Sequence, residues 1–140
     1  MTYYAVIDTN ILVSALITEN ENSATTKVLK SLITGKIIPV YSKKIMEEYN
    51  EVLSRKKFRF SKRDIGYLLS FISTYGILTY PFPTNVILPD KKDLPFYETA
   101  AQHFSTYLIT GNLKHFPEEP FIITARQMID LMNTGYSVDF

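Results

Sequence analysis

The stretch Tyr4–Asn10, YAVIDTN, decides the fold class, because an apolar run ends directly at the carboxylate of Asp8. Consecutive apolar residues ahead of a polar turn are typical of a strand buried on both faces, as in parallel sheets covered by helices. Open α/β sheets form their ligand sites at the carboxyl ends of the strands. The stretch therefore predicts an α/β fold with Asp8 at the ligand-binding edge of the sheet.

Apolar runs and amphipathic stretches alternate along the rest of the chain, as expected for a parallel sheet flanked by helices. The patterns predict strands at residues 3–7, 36–41, 77–80, 107–110 and 121–123, and helices at 10–16, 24–34, 43–55, 62–75, 94–104 and 125–132. Pro39 predicts an edge position or a bulge for the second strand, because proline cannot donate to a ladder. We expect one domain over residues 1–132 and a loosely held tail over 133–140.

Composition narrows the class of protein. The chain has 140 residues, of which 46% are hydrophobic, so it can form one sizeable core and is not typical of disordered proteins. It has no cysteine, which excludes disulfides, thiol catalysis and cysteine zinc sites and fits a reducing cytoplasm. The first residues lack the basic region of a signal peptide, and no apolar run approaches the roughly 18 residues of a membrane span. We therefore expect a cytoplasmic protein without a membrane partner.

A basic segment stands out against the nearly neutral net charge of +1. Six of the nine residues from 55 to 63 are basic, with two phenylalanines between them: Arg55, Lys56, Lys57, Arg59, Lys62 and Arg63. Such a segment can follow a phosphate backbone and stack on bases. It can equally be a solvated segment that closes a helix, where cations complement the helix dipole.

Glu48 is singled out by its helical phase. It lies at the edge of an apolar stripe, whereas Glu47 and Glu51 point away from the stripe; the stripe is Ile45, Tyr49, Val52 and Leu53. A carboxylate on a buried face needs a partner of opposite charge. That partner is either a metal ion or one of the lysines, and the acidic residues at the strand ends favour the metal.

Asp90 and Asp93 precede the helix that contains Phe96, Tyr97, Ala100, Ala101 and Phe104. Asp93 can cap this helix, and its spacing from Phe96 and Tyr97 also places it towards the inner face. Asp90 lies further out in the loop, and Glu98 is expected to be exposed or to support a ligand. Asp8 is likewise a candidate helix cap as well as a candidate ligand.

A third polar cluster, Thr110–Asn112, follows the strand at 107–110. Asn112 can bind a metal or water, or serve as a turn residue. His115 lies at the site mouth or, the interpretation that we favour, is an ordinary loop residue.

If the carboxylates converge, two charges about 5 Å apart repel by roughly 3 kcal/mol at an effective dielectric near 20. A divalent cation with oxygen ligands would offset that repulsion.

Taken together, these stretches resemble the PIN-domain nucleases over about Tyr3–Leu131. The resemblance rests on Val6–Leu16, Glu47–Leu53, Asp90–Asp93 with its helix, and Tyr107–Asn112. It is closest to the group described as candidate toxin components of toxin–antitoxin pairs. It implies a three-layer α/β/α domain with a parallel sheet of about five strands in the order 3-2-1-4-5.

The resemblance also implies an acidic site for Mg²⁺ or Mn²⁺. The family's acidic positions fall on Asp8, Glu48 and Asp93, and Asp90 matches a further acidic position of this group. The family often has a fourth acid where this chain has Asn112, which bears on whether a second metal binds.

The resulting hypothesis is metal-dependent hydrolysis of single-stranded RNA. Asn10, Ser14, Thr110 and Asn112 would support the site by hydrogen bonds, and the cations between residues 55 and 63 would bind phosphates. An antitoxin protein and a second copy of the chain are partners that the resemblance implies. One alternative is a catalytically weak module that binds RNA or protein. Another is a phosphotransferase, which would require an aspartate where Asn10 stands.

Overall fold

Five parallel strands form the middle layer of the fold in the computed structural model, which describes residues 1–135. The strands are β1 (Tyr3–Ile7), β2 (Ile37–Tyr41), β3 (Ile77–Leu78), β4 (Thr106–Ile109) and β5 (Ile122–Ile123). Their order in the sheet is 3-2-1-4-5, and every neighbouring pair is parallel. The predicted fold class and strand order are confirmed.

Six α-helices cover the sheet: α1 (Thr9–Ile17), α2 (Ala24–Ile33), α3 (Lys43–Leu53), α4 (Lys62–Tyr75), α5 (Leu94–Gln102) and α6 (Ala125–Thr134). Helix α5 packs on β1, β2 and β4, while α2 contacts β2 and packs against α1 and α6. Side-chain oxygens cap the first turns of four helices, from Ser23, Ser42, Ser61 and Thr124. The result is a three-layer α/β/α domain.

The pairing of β1 with β4 determines which polar residues meet at the carboxyl edge of the sheet. Ile7 lies opposite Ile109, and the backbone N–H of Asp8 donates to the carbonyl of Ile109 at 2.9 Å. All four residues of β4 are buried. Because both strands end at the same level, the polar residues Asp8 and Thr110 that follow them are brought side by side.

Pro39 does not mark an edge strand. β2 lies between β3 and β1, and Pro39 stays in register with Ala5. The backbone N–H of Thr79 donates to the carbonyl of Tyr41 at 2.8 Å, so the backbone groups of Tyr41 point towards β3. Because the direction alternates along a strand, the backbone groups of Pro39 also point towards the β3 side. At the level of Pro39, however, β3 has not yet begun, since it starts at Ile77 opposite Val40. The missing N–H of Pro39 therefore costs the ladder no hydrogen bond.

Some predicted boundaries differ from the structure. β3 ends at Leu78, and α5 ends at Gln102 ahead of a turn in which Ser105 has a φ of 46°. Phe104 therefore lies outside the helix and is 67% exposed. At the other end, α6 includes residues 133 and 134, which were assigned to the tail. Residues 136–140 of that predicted tail lie outside the described residues. Within residues 1–135, no helix combines the length and apolarity that crossing a bilayer requires.

Candidate active site

A pocket of roughly 210 Å³ opens at the carboxyl edge of β1 and β4. Its wall is formed by Asp8, Thr9, Asn10, Glu48, Val52, Arg55, Asp90, Lys92, Asp93, Asn112 and His115. Seven predicted site residues thus come together from segments far apart in the chain: Asp8, Asn10, Glu48, Arg55, Asp90, Asp93 and Asn112. The fold gathers the four acidic side chains of this set around one cavity.

Asp8 occupies the N-cap position of α1, but its side chain makes no capping hydrogen bond. Instead, the Thr110 hydroxyl donates to the Asp8 carboxylate at 2.7 Å, and the same hydroxyl accepts from the backbone N–H of Asn112 at 3.0 Å. Asp8 is only 5% exposed. Asp8 therefore has the predicted cap position but not the capping side-chain hydrogen bond, and Thr110 fixes this carboxylate at the pocket.

Helix α3 delivers Glu48 to the opposite wall. The Thr9 hydroxyl donates to the Glu48 carboxylate at 3.1 Å, which ties α3 to the start of α1. The next residue, Tyr49, is fully buried, and its hydroxyl donates to the carbonyl of Ile7 at 2.6 Å. Tyr49 was predicted only as part of the apolar stripe. A role beyond packing could have been predicted, because a buried tyrosine hydroxyl needs a hydrogen-bond partner.

Asp93 begins α5 without capping it. Its carboxylate lies 3.0 Å from Nδ1 of His115, whose side chain is 42% exposed and forms part of the pocket wall. The interpretation of His115 as an ordinary loop residue is therefore wrong. Asp90 accepts from the backbone N–H of Lys92 at 2.9 Å, and so caps the single-turn 3₁₀ helix at Lys91–Asp93.

Burial raises the pKa of all three central carboxyl groups above their ordinary values. For Asp8, the hydrogen bond from Thr110 lowers the pKa and the charge of Asp93 raises it. For Glu48, the bond from Thr9 lowers the pKa and the charge of Asp8 raises it. For Asp93, His115 lowers the pKa, whereas Asp90 and Glu48 raise it. The carboxylates thus repel one another in a partly desolvated pocket.

Oxygen donors of this kind fit a hard divalent cation in chemistry. Among the described residues, no three carboxylate or imidazole groups converge into a ready-made metal cage. Mg²⁺ does not require such a cage, because it usually keeps several waters and takes only one or two protein carboxylates. The donor set is therefore compatible with a partly hydrated ion.

Comparison with known families agrees with the fold. The chain matches the family model described as PIN domain over residues 4–114. The protein belongs to the PIN-domain family. PIN domains are generally nucleases and typically use divalent metal ions. Neither the comparison with curated proteins nor that with solved structures gives a match.

Two predicted parts of the PIN-domain site lie elsewhere. Ser14 is exposed on α1, where its hydroxyl lies 3.3 Å from that of Thr25, and it is not part of the pocket wall. Of the six basic residues between 55 and 63, only Arg55 forms part of that wall. Arg55 is held by Glu51, with its closest N–O distance at 2.9 Å.

The remaining basic segment continues away from the pocket. Phe58 and Phe60 stack on each other, with ring centroids 5.5 Å apart and an interplanar angle of 12°, and both pack against the core. Their rings are therefore not freely available to bases. The helix-dipole interpretation also fails, because the last turn of α3 contains no cation. The cations beyond Arg55 are all exposed and can meet a phosphate backbone: Lys56, Lys57, Arg59, Lys62 and Arg63.

Proposed function

We propose that this PIN-domain protein is a metal-dependent endoribonuclease that hydrolyses phosphodiester bonds in single-stranded RNA. The observation that carries the proposal is the meeting of Asp8, Glu48 and Asp93, from three separate elements, around one pocket at the carboxyl edge of the sheet. Across residues 1–135, only Asp93 of these three lies within ion-pair distance of a basic side chain. A pocket with this excess of negative charge is suited to a bound cation.

Asp8, Glu48 and Asp93 would hold Mg²⁺ or Mn²⁺, directly or through water, with Asp90 as an outer acidic residue. Such an ion would supply Lewis-acid chemistry, which polarises a phosphoryl oxygen and lowers the pKa of an attacking water. Because Asn112 stands where the family often has a fourth acid, we propose one ion rather than two. Asn112 and Asn10 are exposed at the pocket, where their amides can hydrogen-bond to water or phosphate.

Cations at the pocket support substrate binding. Arg55 and Lys92 belong to the same wall as the carboxylates, and the charge of Lys92 lowers the pKa of Glu48. They can bind the phosphates that flank the cleaved bond, while the exposed cations beyond Arg55 can meet more distant phosphates. An unpaired strand can bend its backbone into a small pocket, which a paired strand cannot do without losing its pairing.

The test is cleavage of labelled single-stranded RNA with Mg²⁺ or Mn²⁺, with EDTA and with the Asp8→Asn protein. We expect EDTA and Asp8→Asn each to reduce cleavage by more than about a hundredfold, because metal stabilisation of transition-state charge is worth several kcal/mol. Ser14→Ala is the matched control, since Ser14 lies outside the pocket wall, and it should cut normally. Full activity of Asp8→Asn would reject the assignment.

A second candidate function is a catalytically weak module that binds RNA or protein, and the observation that favours it is Asn112 at the pocket. RNA binding and Mn²⁺ binding by a folded protein that cuts no RNA would support this candidate. Turnover of a small phosphomonoester would instead support the phosphotransferase alternative. That alternative is weakened by Asn10, which leaves no second aspartate two residues after Asp8.

The toxin role, the antitoxin partner and a homodimer are proposals that rest on the resemblance described above. If the protein is a toxin, its expression should arrest growth, and Asp8→Asn should relieve that arrest at an equal protein level. Equal growth arrest by the wild-type and Asp8→Asn proteins would show that toxicity does not depend on the nuclease site. Sedimentation of the purified protein would measure its oligomeric state.

A further inference from the structure

A second cavity, of about 730 Å³, adjoins the candidate active site. It is formed by the segment from residue 113 to 122, which connects β4 to β5. The single-turn 3₁₀ helix Leu113–His115 divides the two cavities: Leu113 and Lys114 face the larger one, whereas His115 and the preceding Asn112 face the acidic pocket. A chain bound in the acidic pocket would cross this shared wall directly into the second cavity.

The dividing wall is held in place by hydrogen bonds. The backbone N–H of Asn112 donates to the Thr110 hydroxyl at 3.0 Å, and that of His115 donates to the carbonyl of Asn112 at 3.0 Å. The N–H of Phe116 donates to the carbonyl of Leu113 at 3.1 Å. Because Thr110 also binds Asp8, the position of the second cavity is fixed relative to the carboxylate that we place at the reaction centre.

The interior of the cavity is largely apolar. Phe116 and Ile122 are buried in its floor, and Leu113, which is 42% exposed, contributes an open apolar surface beside the exposed Pro117 and Pro120. Its volume lies within the roughly 300–1,000 Å³ of small-molecule sites. A flat aromatic ring is the group that such a surface accommodates, and single-stranded RNA offers one with every nucleotide.

Three charged side chains restrict which group enters. Lys114 is exposed beside Leu113 and can bind a phosphate of the same strand. Glu118 and Glu119 also form part of the wall, and carboxylates accept hydrogen bonds but donate none. They would repel a backbone phosphate, yet they match a base edge that carries an amino group. Uracil has no amino group, and its single donor on the pairing edge, N3–H, lies between two carbonyl oxygens that would face the carboxylates and be repelled by them.

We propose that this cavity is a subsite for one unpaired nucleobase next to the cleaved phosphate, and that it selects adenine, cytosine or guanine over uracil. The ligand is part of the RNA substrate, so the inference rests on the proposed function. The two can nevertheless be tested apart, because base selection can be measured by binding without cleavage.

The first measurement is binding of fluorescent oligouridylate to the Asp8→Asn protein, compared with oligomers that contain one A, C or G. We expect the substituted oligomers to bind about tenfold more tightly, the discrimination given by one good carboxylate–amino contact. Glu118→Gln/Glu119→Gln should reduce that ratio to near one, because glutamine amides can also donate to carbonyl oxygens. Glu118→Gln alone is the second variant if the double variant does not fold. Glu21→Gln is the matched control, since Glu21 is exposed and is not part of either cavity.

The second measurement is cleavage of the same oligomers by the wild-type protein. Cuts placed beside A, C or G, with poor cutting of oligouridylate, support the subsite. Equal binding and equal cutting of all oligomers overturn it and leave the nuclease assignment standing. Base-selective binding that depends on the glutamates, without cleavage by the wild-type protein, supports the subsite and overturns the nuclease assignment.

Discussion

At the scale of single residues, Asp8 shows a conflict between stability and the proposed function. It is a carboxylate with 5% exposure that accepts a hydrogen bond from the Thr110 hydroxyl and is repelled by the charge of Asp93. Burial raises its pKa, which means that folding disfavours its charged form. A residue selected for stability alone would not be an acid at this position. Such a local conflict is expected at functional sites.

This conflict predicts how stability depends on pH. Because the folded-state pKa values of Asp8, Glu48 and Asp93 are raised, the folded protein holds more protons than the unfolded chain between the two sets of pKa values. Their contribution to the free energy of unfolding is therefore complete below pH of about 4 and is lost as pH rises through the raised values. Urea denaturation in EDTA at several pH values measures this loss.

Asp8→Asn should remove part of that dependence. We expect it to increase the free energy of unfolding by about 1 kcal/mol at pH 7, as other stabilising substitutions at strained functional sites do. The increase should shrink as pH falls, because protonation of the raised-pKa carboxyl removes the buried charge from the wild-type protein as well. A variant that is less stable than the wild-type protein at pH 7 would show that the Thr110 bond outweighs the burial of charge.

Residue patterns identified the acids but not their partners. Asp8 follows a strand and Glu48 borders an apolar stripe, and both features are local in sequence. The bond from Thr110 to Asp8 joins residues 102 positions apart, and that between His115 and Asp93 spans 22 positions. Hydrogen bonds over such separations depend on strand order and register, which local periodicity does not determine.

At the scale of elements, α3 is joined to β1 by one buried tyrosine. The Tyr49 hydroxyl donates to the carbonyl of Ile7, one residue before Asp8, while Glu48 on the same helix accepts from Thr9, one residue after it. Two neighbouring side chains of α3 thus fix the helix on either side of Asp8. The helix itself was predictable from its apolar stripe and its Ser42 cap, but this docking was not.

Tyr49→Phe should test the docking of α3. Removing the hydroxyl leaves the buried carbonyl of Ile7 without this donor, which we expect to cost about 1–3 kcal/mol of unfolding free energy. The displacement of Glu48 should also reduce cleavage by about tenfold. The control is Tyr67→Phe on α4, whose side chain is 76% exposed. Unchanged stability and cleavage in Tyr49→Phe would show that packing alone positions the helix.

The segment between β3 and α5 is held by α5 itself. The Thr84 hydroxyl donates to Glu98 at 2.9 Å, and Gln102 exchanges two hydrogen bonds of 2.7 Å with the backbone of Phe82. The prediction of an exposed Glu98 is wrong for this reason: its carboxylate is buried, and it is satisfied by the loop. Helical phase alone could not show that a loop returns to cover this face.

Glu98→Ala should release this loop. Without its acceptor, the backbone between residues 79 and 89 should become at least several times more sensitive to limited proteolysis, because local opening follows the loss of such tethers. Glu98→Gln retains an acceptor oxygen and should protect the loop nearly as well as the wild-type residue. Equal proteolysis of all three proteins would show that the prolines and apolar contacts of the loop, and not Glu98, keep it in place.

At the scale of the whole molecule, a bound cation should couple distant parts of the chain. Asp8, Glu48 and Asp93 belong to separate elements that meet only in the folded state. A ligand that binds only the folded state raises stability with its concentration, by about 2.7 kcal/mol at one hundred times its Kd. For a chain of this size, this corresponds to roughly 5–10 °C in Tm.

Thermal unfolding with increasing Mn²⁺ measures this coupling. We expect Tm to rise for the wild-type protein and for Ser14→Ala, to return to its starting value with excess EDTA, and to change little for Asp8→Asn. An equal rise in Asp8→Asn would place the ion elsewhere on the molecule.

The position of β4 beside β1, and its late place in the sequence, have a consequence for synthesis on the ribosome. By the time residue 105 has been added, all three carboxylates and β2 exist, but β4, which pairs with the other side of β1, and the Thr110 hydroxyl that binds Asp8 do not. Non-local strand pairing has to wait for both partners. The proposed ribonuclease should therefore be inactive until β4 has emerged, a delay that would protect the message and the ribosome that are producing it. A chain that ends at residue 105 should show no metal-dependent cleavage, and robust cleavage by it would contradict this order of assembly.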